Sequence, residues 1–451
     1  MSSPGPADTK HNRAPDDALT RQMRISARDI FHRSLAQATV EKAFDRHLHC
    51  ERGVLRICDD LYDLSRYPQV VVISIGKAAY SMLNALHAHI GERATGVAVG
   101  PTEAEEELPG FQYICGGHPV PTHGSVRAAS AILKALEKVT PSALVVFLMS
   151  GGGSAVAEKP IVSGMTLEDL AATYQPLVLS GGTIAEINAI RKHLSAIKGG
   201  RLARAAAPAQ QVSILVSDVP DNALDALASG PTMPDSSTVA ECFAIADRYR
   251  LLEQFPEPVR SAFQNRKLEE TPKQGDQAFA HSRWWTVLSN SVVLQAAAAE
   301  AGRAGFAVEV DNSCDDWDYT RAADYLLERL RKLREGVSRV ALVSGGEVTV
   351  SVENGGKGGR NQQFALYCAE KIRGENITIL SAGTDGIDGN SLAAGAVVDG
   401  TTVARAQQAG LDVARGLASF DSYPLLNALG DTVIIGPTGN NLRDVRLMIA
   451  Y

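Results

Sequence analysis

The sequence predicts an α/β fold in two domains, the first built on a mainly parallel sheet. Three observations carry this. Short apolar runs of about five residues recur along the chain, and each ends in Ser, Gly or Asp. Most are followed by an amphipathic helical period, and strands alternating with helices are the grammar of α/β layers. A length of 451 residues exceeds one average domain and leaves each of two large enough to bury its own core.

Taken in order, residues 1–21 open with "MSSPGPADTKHNRAPDD" and read as a disordered tail. A helical period begins near residue 24 in "ARDIFHRSLAQATVEKAF". "PQVVVISIGKAAYSMLNAL" is then a buried strand that turns at glycine into a helix. The pattern returns in "SALVVFLMSGGGSAVAEKP", "QVSILVSDVPDNALDALASGPTMPD", "HSRWWTVLSNSVVLQAAAAEAGRAG", "RVALVSGGEVTV" and "ENITILSAGTDGIDG". The polar, proline-containing stretch "FPEPVRSAFQNRKLEETPKQGDQ" marks a boundary, giving domains at 22–270 and 280–451.

A net charge of −7 argues against nucleic acid or an anionic membrane as partner and favours a small molecule. Six cysteines without CxxC spacing indicate neither a zinc site nor a disulfide framework, which suits a reducing cytoplasm. No apolar run reaches the roughly 18 residues of a membrane span, and the acidic start has no signal-peptide core. A homo-oligomer is compatible with all of this.

Ligands of α/β sheets bind outside the carboxyl ends of strands, and the candidate residues fall there. Ser150, Gly151, Gly152, Gly153 and Ser154 follow a strand as "SGGGS", where backbone N–H groups can cradle an anion; a strained turn is the alternative. There is no GxxxxGK[ST], and no GxGxxG follows a strand, which weakens a dinucleotide reading. Lys77 in "SIGKAAY" stands at a helix start, where a cation opposes the helix dipole unless an anion is bound. "RKHLSAIKGGRLA" sets Arg191, Lys192, His193, Lys198 and Arg201 on a helix read as ending at Gly199 and Gly200. These are either dipole partners or ligand contacts, and His193 bonds either a ligand or nearby backbone. Asp218, Asp221, Asp385 and Asp388 also stand at strand ends, with Glu347 in "SGGEVTV". Mg²⁺ carrying a nucleotide needs only one or two such carboxylates, although Asp-Gly pairs also make plain turns. Arg360, in the glycine-rich "GGKGGRNQ", can bridge phosphoryl oxygens with its planar fork. Nests, cations and carboxylates together suit phosphoryl transfer, where catalysis is mostly positioning and charge stabilisation.

Ten stretches in order resemble the class II glycerate kinases, the glycerate 2-kinase family with a C-terminal MOFRL domain. They are "GKAA", "GGHPVP", "SGGGSA", "EINAIRKHLSAIKGGRLA", "SDVP", "ASGPTMPD", "LVSGGEVTV", "GKGGRNQ", "SAGTDGIDG" and "GDTVIIGPTGNN", spread from about residue 76 to 441. The resemblance implies a Rossmann-like N-terminal domain, a MOFRL-type α/β C-terminal domain, and a cleft between them. In that cleft ATP and Mg²⁺ would phosphorylate D-glycerate to 2-phosphoglycerate. Lys77 and Arg360 match the family's important Lys and Arg. The expected roles are ATP on the loop Ser150 to Ser154, substrate on Lys192 and His193, and metal on Asp218, Asp385 and Asp388. The hydroxypyruvate reductase label carried by some relatives is disfavoured, because no nicotinamide fingerprint is present.

The chain departs from the family pattern towards fewer acids. Asp221, Asn222 and Ala223 stand where Gly-Asp-Asp is usual, and Gln363 where Glu is usual. Asn390, Ser391 and Leu392 replace Pro-Thr-Asp, and Gly439, Asn440 and Asn441 replace Gly-Thr-Asn. Two alternatives therefore stay open: a kinase of another small hydroxy acid, or a ligand-binding relative with impaired catalysis.

Overall fold

The computed structural model describes residues 17–220, 222–352 and 355–451. They form two compact units, one of residues 39–289 and one joining residues 17–38 to 290–451. Residues 1–16 of the expected tail, and Asp221, lie outside the described residues. The helix Asp17–Gln37 begins before residue 24, because Thr20 and Met23 extend the buried stripe of Ala27, Ile30, Phe31 and Ser34. This helix belongs to the unit of residues 290–451, whereas the sequence grouping put residues 22–270 together. Arg24 shows why: its Nη1 bonds Asp399 at 2.7 Å and its Nη2 bonds Asp431 at 2.5 Å.

The unit of residues 39–289 opens with an antiparallel meander, β1 (Leu48–Glu51), β2 (Val54–Ile57) and β3 (Asp60–Asp63). Its main sheet holds β4 (Val70–Ile75), β5 (Ala94–Gly100), β6 (Phe111–Cys115), β7 (Leu144–Ser150), β8 (Gln210–Val216) and β9 (Ser282–Leu288). These six are parallel throughout, in the order β6-β5-β4-β7-β8-β9. The chain winds outward from β4 to β6, returns, and winds the other way from β7. This is the doubly wound order, whose binding crevice lies where the winding reverses, between β4 and β7. Both strands are buried along their whole length, as expected for strands covered on two faces.

The helix Ile184–His193 stops at His193, six residues before Gly199. The following segment turns aside because Ser195 pairs with Pro160 and the Lys198 ammonium bonds Glu158. Gly200, at φ 81°, instead precedes a new helix, Arg201–Ala206.

The other unit holds β10 (Ala307–Val310), β11 (Val340–Gly346), β12 (Ile377–Gly383), β13 (Gly395–Asp399), β14 (Thr432–Val433) and β15 (Asp444–Ala450). Their order is β10-β11-β15-β12-β13-β14, and only β10 and β11 pair in parallel. The alternation of strand and helix between β11 and β12 conceals this, because β15 enters between them in the opposite direction. Asp444 thereby faces the carboxyl ends of both neighbours, opposite Gly346 and Gly383.

Candidate active site

At the winding reversal of the parallel sheet, the turn after β4 and the loop after β7 are tied together. Lys77 N–H donates to the Gly151 carbonyl at 2.8 Å, and Ala78 N–H to Ser150 Oγ at 3.0 Å. Gly76, at φ +125°, is packed so closely on Ser150 that a Cβ would collide with it. The loop then takes a left-handed step at Gly152, φ +79°, into the short helix Gly153–Val156, whose first N–H groups have no intrahelical acceptors. Ser154 Oγ meets Ser229 Oγ at 2.9 Å. Ser229 belongs to a strained corner in which Ala228 and Ser229 have φ of 50° and 63°. Asp218, after β8, lies against Gly151.

Lys77 is half-buried, and its ammonium has neither an ion pair nor a hydrogen bond among the described residues. His118, in the loop after β6, stands beside it. A Cβ on Gly152 would lie 3.0 Å from Lys77 Cγ and 3.1 Å from His118 Cδ2. Burial, and then the Lys77 charge, push the His118 imidazole below its ordinary value. His118 was not singled out from the sequence, although "GGHPVP" puts a polar side chain just past a strand.

Lys192 and His193, expected on the substrate, are both engaged by protein groups. Lys192 Nζ is held by Asp235 at 3.0 Å and Asp225 at 3.2 Å. Burial raises the Asp235 carboxyl, but Lys192 and bonds from Thr271 and Ser237 outweigh it and hold the group below the carboxylate range. His193 is fully buried, with Nδ1 bonded to the Ala189 carbonyl at 2.8 Å and Nε2 to Glu270 at 2.9 Å. With both ring nitrogens engaged, its expected ligand contact is replaced by one holding the core. Lys198 likewise faces inward to Glu158, which also accepts from Tyr174 at 2.9 Å and Ser195 at 2.6 Å.

In the mixed sheet, Arg360 is the first residue of the helix Arg360–Lys371. Asp444 grips it in bidentate fashion, at 2.6 Å on Nε and 3.1 Å on Nη2, and Glu347 meets Nη2 at 2.6 Å. Burial opposes the guanidinium charge, yet Asp444 and Glu347 raise its pKa above the usual value. Nη1 keeps no partner among the described residues. Burial pushes the Glu347 carboxyl up, with Arg360 opposing. Asp444 escaped the sequence reading because it begins a strand that is apolar apart from Arg446.

Asp388, expected on a metal, caps this helix instead. It accepts from Asn361 N–H at 3.1 Å and Gln362 N–H at 2.9 Å, and from the Gln362 amide at 2.9 Å. Burial raises its carboxyl to about 6 despite these bonds. A buried carboxylate with both oxygens committed to a helix start has little left for a cation. Asp385 uses one oxygen on the Ile387 N–H at 3.1 Å and leaves the other without a partner among the described residues. Among those residues, no three His, Cys, Asp or Glu side chains are arranged to hold a metal ion.

The departures from the family pattern fall mostly on framework. Gln363 is buried and donates to the Leu417 carbonyl at 2.9 Å. Asn390 fastens the glycine loop, accepting from Gly358 N–H at 2.8 Å and donating to the Gly356 carbonyl at 3.1 Å. Leu392 is 73% exposed.

A model of a domain of unknown function (DUF4147) matches residues 26–264, and the MOFRL family model matches residues 340–444. The chain is 35% identical to the D-glycerate 2-kinase of Thermotoga maritima over 385 residues, 84% of this chain and 89% of that protein. It is 36% identical to a putative hydroxypyruvate reductase of Agrobacterium vitis over 425 residues, 92% of this chain and 94% of that one. The crystal structure of glycerate kinase from Thermotoga maritima superposes with a TM-score of 0.83 at 31% identity, covering 96% of this chain and all of that one. Motif order, fold and identity agree over most of the length, and the chain belongs to the glycerate 2-kinase family.

Proposed function

We propose that the protein transfers the γ-phosphoryl group of ATP to the 2-hydroxyl of D-glycerate. The observation that carries this is Lys77, a half-buried cation at a helix start beside the Ser150–Ser154 loop, whose ammonium makes no ion pair among the described residues. An anion restores the balance, and phosphate at such a backbone cradle needs no other device. Loop N–H groups hold phosphate oxygens, and Lys77 neutralises charge as a point cation. In the other unit, Arg360 keeps Nη1 without a partner among the described residues while Asp444 and Glu347 fix its plane.

Mg²⁺ on the nucleotide takes most of its ligands from phosphate and water, so Asp385 with its spare oxygen fits the role better than Asp388. Bound there, the ion would neutralise phosphate charge. The name of the Agrobacterium vitis relative suggests a reductase, but no GxGxxG follows any strand to hold a nicotinamide cofactor.

ADP release measured across a panel of small hydroxy acids tests the reading, with D-glycerate expected to be the best acceptor. Lys77→Ala and Arg360→Ala are each expected to lower kcat about 100-fold or more. Turnover only with another acid would replace glycerate, and variants at the normal rate would remove both residues from their roles.

A further inference from the structure

Transfer to a hydroxyl leaves one proton to be removed, and several carboxylates beside the charged residues are committed. Asp388 caps a helix, Asp444 and Glu347 hold Arg360, and Asp225 and Asp235 hold Lys192. His118 differs from all of these, since neither ring nitrogen has a hydrogen-bond partner among the described residues. It also faces the proposed phosphoryl cradle. The imidazole edge and the Lys77 stem close over Gly152 from two sides, with Nε2 3.3 Å from where a Cβ on that glycine would stand.

The loop that carries it is firmly held. Gly116 N–H donates to the Gly100 carbonyl at 2.9 Å, and Gly117 N–H donates to Ser125 Oγ at 3.0 Å. Thr122 N–H donates to the same Ser125 hydroxyl at 3.0 Å, in the capping box of the helix His123–Leu136. Gly116 packs on the Val156 carbonyl so closely that any side chain there would collide with it. A side chain on a braced loop, with its Cδ2–Nε2 edge against a glycine cradle and beside a lysine stem, is placed to act on a group held there. The charged groups at this corner are Lys77, from the turn after β4, and Asp218, which lies on Gly151 after β8.

Resting on the kinase reading above, we propose that His118 is the general base of the transfer. Its neutral imidazole takes the proton of the acceptor hydroxyl as that oxygen bonds to the γ-phosphorus. The bond from phosphorus to the bridging oxygen breaks, its electron pair leaves on ADP, and the imidazolium returns the proton to solvent. Lys77 suits this arrangement twice over, because its charge attracts the phosphoryl group and, after burial, adds to what favours the neutral form of the neighbouring imidazole.

The sign of the pH dependence follows. A base works in its deprotonated form, so kcat/KM falls as pH drops through the His118 value of the free enzyme, and that limb lies below the ordinary histidine range. His118→Asn, assayed in the full chain with D-glycerate and Mg·ATP, is expected to lower kcat about 100-fold. Both KM values should stay within threefold, and the acid limb should disappear. In His118→Ala, added imidazole should recover at least tenfold of the lost rate, and unchanged thermal unfolding would exclude a packing effect. A His118→Asn enzyme with normal kcat and an intact acid limb overturns the proposal, as does a change confined to KM. Wild-type protein silent towards every hydroxy acid overturns the kinase reading itself, and this proposal with it.

Discussion

Single residues at the parallel sheet's winding reversal cost the fold stability. Lys77 opposes a helix dipole, and Ala228 and Ser229 adopt left-handed backbone that costs of order 1 kcal/mol each in side-chain-bearing residues. Gly152 is needed twice there, for its φ of +79° and for the space that Lys77 and His118 fill above it. Gly152→Ala is therefore expected to destabilise by about 1–2 kcal/mol. It should cut kcat by more than tenfold as the two side chains are pushed apart, and thermal unfolding and ADP release on the same sample check both. Lys77 and the SGGGS loop were legible in the sequence because a strand end, a glycine and a cation are all local features. His193 misled for the converse reason: a histidine among cations looks functional until Ala189 and Glu270, the latter 77 positions away, are seen to occupy both nitrogens.

At the scale of the element, the helix Arg360–Lys371 begins without a side-chain cap of its own, because its N-cap residue is Gly359. Asp388 supplies the missing acceptor from the next strand's loop, and the glycine lets that loop approach. This makes Asp388 a positioning residue for Arg360. Asp388→Ala leaves the buried N–H groups of Asn361 and Gln362 unpaired and should cost about 3 kcal/mol in denaturant unfolding. Its kcat should fall by less than that of Arg360→Ala. The strands themselves were visible as apolar runs, and six quoted from the sequence are present. Asp388 as a cap was not visible, since Asp-Gly reads alike as a turn, a ligand or a remote partner.

Across the whole molecule, the helix Asp17–Gln37 is the feature that sequence order hides. Adjacency grouped it with residues 39–270, but its stripe of Met23, Ala27, Ile30 and Phe31 is buried in the unit of residues 290–451. Arg24 pins it to Asp399 and Asp431, which are almost wholly buried. Arg24→Ala leaves Arg405 as the remaining counter-charge for both, so a loss of about 2 kcal/mol is expected. It should appear as a lowered unfolding midpoint, with faster protease cleavage between residues 38 and 40. No described helix is long and apolar enough to cross a membrane.

The placement of β15 between β11 and β12 has a consequence for how the protein is made. Because translation runs from the N-terminus, β10 to β14 leave the ribosome before the strand that joins β11 to β12. Until residues 444–450 emerge, the two halves of that sheet have facing edges with nothing between them, and Arg360 lacks the Asp444 carboxylate that holds it. Exposed edges of this kind pair readily with other chains. The nascent protein is thus most open to misassociation late in synthesis, when the Arg360 guanidinium has yet to meet its anchor.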